Sequence, residues 1–112
     1  MRRWNRGEKL NDSCYVLYSP KNDKYYIGET VSLQGRLQQH KNHHYQGSST
    51  SYSADWEIAL SFKVKTRHEA IVIEKHLKKM KSKTYLHKLR EDLVSMVKFK
   101  SIILEKYGIV IN

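Results

Sequence analysis

The sequence predicts an α+β domain, a small three-stranded antiparallel sheet flanked by helices in the order β-β-α-β-α-α. Three observations carry this reading. Residues 13–28, SCYVLYSPKNDKYYIG, place two strand-like runs on either side of a turn. Residues 56–64 alternate Trp, Ile, Leu, Phe and Val with Glu, Ala, Ser and Lys, a period of two. The rest of the chain carries apolar residues at helical spacing, so one small sheet must be covered by helices.

Residues 1–12 read as a polar lead-in. Residues 14–18, β-branched and aromatic, form the first strand, and residues 24–28 the second. Between them Ser-Pro-Lys-Asn-Asp supplies turn chemistry: proline presets φ, and Asn and Asp accept tight conformations. Leu33, Leu37 and His40 then recur at helical spacing over 32–41, with Ser32 as a cap. Gly35 inside this helix costs about 1 kcal/mol against alanine. Residues 42–55 are a polar loop, long enough to suggest a function. The alternation over 56–64 predicts a third strand with one buried face. Thr66 and Glu69 have the capping-box spacing, opening a helix that runs to about Lys81 with Ala70, Ile73, Leu77 and Met80 on its apolar face. Ser82 caps a further helix in which Leu86, Leu89, Leu93 and Val97 repeat. Phe99, Ile103 and Tyr107 continue a stripe, and Gly108 is a helix stop. The expected organisation is a lead-in over 1–12, a domain over 13–97, and a C-terminal helical extension and tail over 98–112.

With 112 residues there is room for one domain with one core. The single cysteine, Cys14, excludes an intramolecular disulfide and a cysteine-built metal cluster, and points to a reducing compartment. The N-terminus is charged with no apolar segment behind it, unlike a signal peptide, and no run of about 18 apolar residues occurs. The expected location is cytoplasmic, with no membrane partner. The formal net charge of +10 concentrates polyanions at the surface. Nucleic acid is the commonest such partner, with phosphate contacts supplying most of its non-specific affinity.

Four groups of residues stand out chemically. Tyr15 and Tyr26, on neighbouring strands, can project to one face. A phenol is a poor base unless cations lower its pKa, and tyrosines also favour strands for packing alone. Arg36 and His40, four apart on the first helix, share a face where an arginine can bind phosphate or simply snorkel. Glu74 interrupts an apolar helical run. It needs a partner there, either a flanking lysine or a divalent cation of the Mg²⁺ type, which takes one or two protein carboxylates plus phosphate and water. The run Lys75, Lys78, Lys79, Lys81 and Lys83 fits backbone contact with nucleic acid, although not all of it can face one way. His43, His44 and Tyr45 lack a zinc-site spacing.

Taken together, these residues resemble the GIY-YIG endonucleases, most closely the small single-domain bacterial branch. Tyr26-Ile27-Gly28 is the second motif literally. Ser13-Cys14-Tyr15 stands where the family has Gly-Ile-Tyr, eleven residues before Tyr26. Arg36 falls eight residues after Gly28, at the place of the family's arginine, and Glu74 at the place of its metal-binding glutamate. The likeness covers about residues 13–93. It departs in Ser13, where the motif has glycine, and in the lack of an asparagine between Glu74 and Asn112.

The resemblance implies a GIY-YIG-like fold and a DNA endonuclease using Mg²⁺ or Mn²⁺, structure-selective or weakly sequence-specific. Glu74 would hold the metal, Arg36 a phosphate oxygen, and Tyr15 would act as general base. Tyr26 would bond the water or phosphate, with His40 a helper in proton transfer. Gly28 would let the chain leave the strand near the phosphate without a side chain in the way, and Ser49, Thr50 and Tyr52 would contact the DNA backbone together with the lysine run. The rival expectations are a weak or inactive DNA-binding module of the same fold, a tyrosine nucleophile, and an adaptor that uses charge alone. The oligomeric state is left open between a monomer and a transient dimer.

Overall fold

In a computed structural model, the structure describes residues 12–41 and 55–111. The lead-in up to residue 11, most of the polar loop with His43, His44, Tyr45, Ser49, Thr50 and Tyr52, and Asn112 lie outside them. Three strands, β1 (Asp12–Ser19), β2 (Lys24–Thr30) and β3 (Glu57–Val64), alternate with four helices: α1 (Leu33–Lys41), α2 (Arg67–Met80), α3 (Lys83–Glu91) and α4 (Leu93–Tyr107). The sheet is antiparallel in the order β2-β1-β3, so β1 is central and β2 and β3 are its edges. This is the predicted α+β architecture with one helix more than expected.

The hairpin forms as its turn residues dictate. Ser19 pairs with Lys24, leaving residues 20–23 as the loop. Asp23 takes the left-handed conformation at φ 53°, which aspartate tolerates better than most residues. Asp55 ties the turn down, accepting from the Ser19 hydroxyl at 2.6 Å and from the Lys21 amide at 2.8 Å.

The third strand departs from expectation. Its alternation predicts one buried face, but a bulge lies opposite the Val16–Leu17 step of β1. Val16 pairs with Leu60 and Leu17 with Ile58, leaving Ala59 as the extra residue. Because side chains alternate with period two, one extra residue reverses every side chain beyond it. Leu60, Phe62 and Val64 therefore join Cys14 and Val16 in the main core, while Trp56 and Ile58 join Tyr15 and Leu17 on the opposite face. The sheet is thus buried on both sides. One side packs against Ala70, Ile73 and Leu77 of α2 together with α3 and α4, and the other against Leu33 and Leu37 of α1.

Thr66 caps α2 as predicted, accepting from the Glu69 amide at 3.2 Å; Glu69 in return accepts from the amide of Lys65. Met80, expected on the apolar face, is exposed. The helix beginning at Ser82 does not continue through Leu93. Asp92 adopts an extended conformation and caps a new helix, accepting from the Val94 amide at 3.2 Å and the Ser95 hydroxyl at 2.8 Å. The break resets the helical phase, so Leu93 and Val97 face solvent while Phe99 and Ile103 are fully buried. Phe99, Ile103 and Ile109 consequently belong to the main core. Phe99 packs on Phe62 at 5.1 Å, Ile109 is buried, and Gly108 ends α4 in the left-handed conformation at φ 70°. No helix among the described residues is long and apolar enough to cross a membrane.

Candidate active site

On the α1 side of the sheet three of the predicted residues meet. Tyr15 and Tyr26 come from adjacent strands, offset by two residues in register and so on one face, with ring centroids 6.2 Å apart. His40, in the last turn of α1, lies against both, 6.1 Å from the Tyr15 ring and 4.7 Å from the Tyr26 ring. The Tyr15 hydroxyl and His40 Nε2 form a buried hydrogen bond of 3.1 Å. Tyr15 is fully buried and Tyr26 half-buried, so Tyr26 is the phenol of the pair that solvent reaches. Arg36, half-buried one turn before His40, is close enough for its charge to act on the imidazole.

Gly28 is directly opposite Tyr15 in the sheet. A Cβ placed on it would lie 2.6 Å from the Tyr15 hydroxyl oxygen and 2.7 Å from Cζ. The backbone there does not take the left-handed conformation, so a glycine is required by close approach rather than by φ. The space a side chain at position 28 would need is filled by the phenol of Tyr15.

Glu74 is on α2, whose buried residues pack on the other side of the sheet. It is half-buried, and its Oε2 accepts from Lys78 Nζ at 2.6 Å, one helical turn on. Burial raises the pKa of Cys14, with the charge of Glu74 acting in the same direction and that of Lys78 against it. Among the described residues no three of His, Cys, Asp and Glu group as a metal site. A single hard carboxylate, here paired with a lysine, suits a Mg²⁺-type ion that completes its shell with phosphate and water better than a zinc cage. Tyr26 and Gly28 lie on β2, an outer strand, and its free edge is where the tyrosine side and the α2 side of the sheet adjoin.

Lys75, Lys78, Lys79, Lys81 and Lys83 are all exposed. Lys78 is engaged by Glu74, and Lys83 by Asp23 at 2.7 Å. The other two tyrosines of the hairpin, Tyr18 and Tyr25, lie apart from this cluster. Tyr18 and Tyr25 stack at 4.7 Å, and Tyr25 bonds His87 Nδ1 at 2.8 Å.

His40 and His76 are both held below the ordinary histidine value. For His40 burial comes first, then the Arg36 charge; for His76 burial again leads, followed by Lys106 and Lys79. The unfolded chain therefore takes up protons that the folded chain refuses, and stability falls as pH drops through the unfolded value of 6.5 toward the depressed folded ones. Asp12, whose pKa is raised mainly by burial, acts in the opposite sense and titrates from a lower starting value. We expect the urea midpoint to be lower at about pH 5.5 than at about pH 7.5, and His76→Gln to flatten that dependence. A midpoint that does not change over this interval would contradict the burial of these neutral imidazoles.

A family profile described as the GIY-YIG catalytic domain matches residues 11–88, more than half of the chain. No curated protein and no solved structure is significantly matched. The profile match spans the hairpin, the Tyr15–Tyr26–His40 cluster, Arg36 and Glu74, and on that ground the chain belongs to the GIY-YIG family of nuclease domains.

Proposed function

We propose that this chain is a divalent-metal-dependent DNA endonuclease that hydrolyses phosphodiester bonds and selects substrate structure more than sequence. The observation that supports it most is the buried bond between the Tyr15 hydroxyl and a His40 imidazole held neutral, beside the half-exposed Tyr26 and one turn from Arg36.

Arg36 binds a non-bridging phosphate oxygen and stabilises the charge that builds on it. Tyr26, at the solvent boundary, orients the attacking water. Tyr15 takes the water's proton as its own proton passes to His40 Nε2, which accepts it because the ring starts neutral. The water oxygen bonds to phosphorus, the bond to the leaving sugar oxygen breaks, and that oxygen takes a proton from solvent. A Mg²⁺ or Mn²⁺ ion held by Glu74 supplies charge stabilisation for the phosphate and the leaving oxygen when bound. Lys75, Lys79 and Lys81 add backbone contacts, and Ser49, Thr50 and Tyr52 are proposed to do the same.

One rival has an observation in its favour. Tyr15 is fully buried, which suits a DNA-binding module of the same fold that does not cleave. Supercoiled plasmid and flapped duplexes separate the two. The nuclease reading expects nicking with Mg²⁺ that stops in EDTA and falls on the order of 10²-fold or more in Arg36→Ala, as for loss of one charge-stabilising group. Binding without cleavage under all metal conditions would overturn it. Cleavage that survives Tyr15→Phe and is lost in Tyr26→Phe would move the base role to Tyr26.

A further inference from the structure

A groove of about 400 Å³ opens along β2 on the α2–α3 side, with Tyr26 among its walls. Its lining is mostly apolar, from Tyr25, Ile27, Leu77 and Leu86. Its other walls carry the exposed lysines Lys24, Lys78, Lys81 and Lys83. Lys78 and Lys83 are neutralised by Glu74 and Asp23, but among the described residues Lys24 and Lys81 have no carboxylate partner. These two approach from different sides. Lys24 opens β2, and Lys81 is the left-handed residue, φ 48°, that turns the chain from α2 into α3. Lys24 escaped the sequence reading because nothing in its neighbourhood marked it as basic surface.

We propose that this groove binds an unpaired nucleotide of the DNA next to the scissile phosphate, making single-stranded or frayed DNA the substrate class. The inference rests on the nuclease reading above for what is cleaved, but not for what is bound. The volume lies in the range of about 300–1,000 Å³ that accommodates small organic ligands, enough for a base and its sugar. An apolar floor under a cationic rim matches the two halves of a nucleotide, a flat weakly polar base and an anionic phosphate. Paired bases have their faces stacked on neighbours and offer no face to such a floor. A basic surface that read only the backbone would have no use for it. Tyr26 borders the groove while its ring lies with Tyr15 and His40 on the other side of β2, so the groove and the candidate active site share this one strand.

The test is equilibrium binding of the full chain, in EDTA, to a labelled oligonucleotide carrying 2-aminopurine, either single-stranded or annealed to its complement. Wild type should bind the single strand about tenfold more tightly, with a rise in 2-aminopurine fluorescence as the base leaves its stack. Lys24→Glu/Lys81→Glu should lose about tenfold more affinity on the single strand than on the duplex, whose backbone contact by Lys81 is also weakened, and should lose the fluorescence rise. Lys98→Glu/Lys100→Glu, equally exposed on α4, should reduce both forms alike and only slightly. Equal losses on the two forms in the first variant, or no fluorescence change on the single strand, would overturn the groove. Because cleavage is absent in EDTA, a chain that shows this preference yet never nicks in Mg²⁺ would refute the nuclease reading and leave the groove standing.

Discussion

Glu74→Ala is expected to lower Mg²⁺-dependent cleavage about 10³-fold while leaving the chain folded, since loss of several kcal/mol of charge stabilisation at phosphate corresponds to that factor. The two readouts separate because Glu74 contributes little to stability. Its pair with Lys78 is an i,i+4 helix pair whose lysine is 53% exposed, and such pairs are worth about 0.3–0.5 kcal/mol. Its neighbours Ile73 and Leu77 hold α2 to the sheet whether or not the carboxylate is present. A purely structural Glu74 predicts the reverse, a lower melting temperature with an unchanged rate. Initial nicking rates and thermal melts of wild type, Glu74→Ala and Glu74→Gln decide between them. The glutamine variant keeps shape and loses charge, so it should be as inactive as alanine. Cleavage within about threefold of wild type in either variant would remove Glu74 from the metal site.

Gly28→Ala should be the most damaging one-methyl change in the described chain. The new Cβ would sit 2.6 Å from the Tyr15 hydroxyl oxygen, 2.7 Å from Cζ and 3.0 Å from Cε1. The ring has little room to retreat, because Tyr15 is fully buried and its hydroxyl is engaged by His40. Overpacking of this kind costs roughly 1–3 kcal/mol. It should also carry an activity loss of about 10²-fold, since displacement of a reacting group by about 1 Å has that effect. A double-mutant cycle with Tyr15→Leu gives the discriminating measurement. Removing the ring removes the clash, so the stability losses should be strongly non-additive, with the double variant more stable than their sum. Additive losses would mean that Gly28 is needed for some reason other than the phenol.

The layout of the candidate site was readable from the sequence to the extent that it depends on local spacing. Arg36 and His40 are one helical turn apart in any α-helix, and the hairpin register that brings Tyr15 and Tyr26 together is set by a turn whose residues announce it. Two features were not readable because each depends on a single backbone event. The alternation from Trp56 to Val64 looks like one face, yet the bulge at Ala59 sends its two ends to opposite sides, and no residue type in the run signals it. Leu86, Leu89, Leu93 and Val97 look like one stripe, but Asp92 restarts the helix and turns the last two outward. An aspartate inside a helical run is a weak stop signal, since it is tolerated in helices and favoured at caps alike. The role of Gly28 was hidden for a different reason. A glycine required by a neighbouring side chain has the same appearance in sequence as one required by a ligand.

The bulge at Ala59 also governs how this protein comes apart. Among the described residues the apolar cluster under the tyrosines has three fully buried members, Tyr15, Leu17 and Trp56, and Trp56 immediately precedes the strand that anchors the opposite layer through Leu60, Phe62 and Val64. Neither layer can shed β3 without releasing it from the other. The tyrosine layer therefore has no low-energy opening of its own through this strand, and its β1 amides should exchange hydrogen only when the whole molecule unfolds. In a chain this small, a one-residue misalignment ties the lifetime of the tyrosine cluster to the stability of the entire fold.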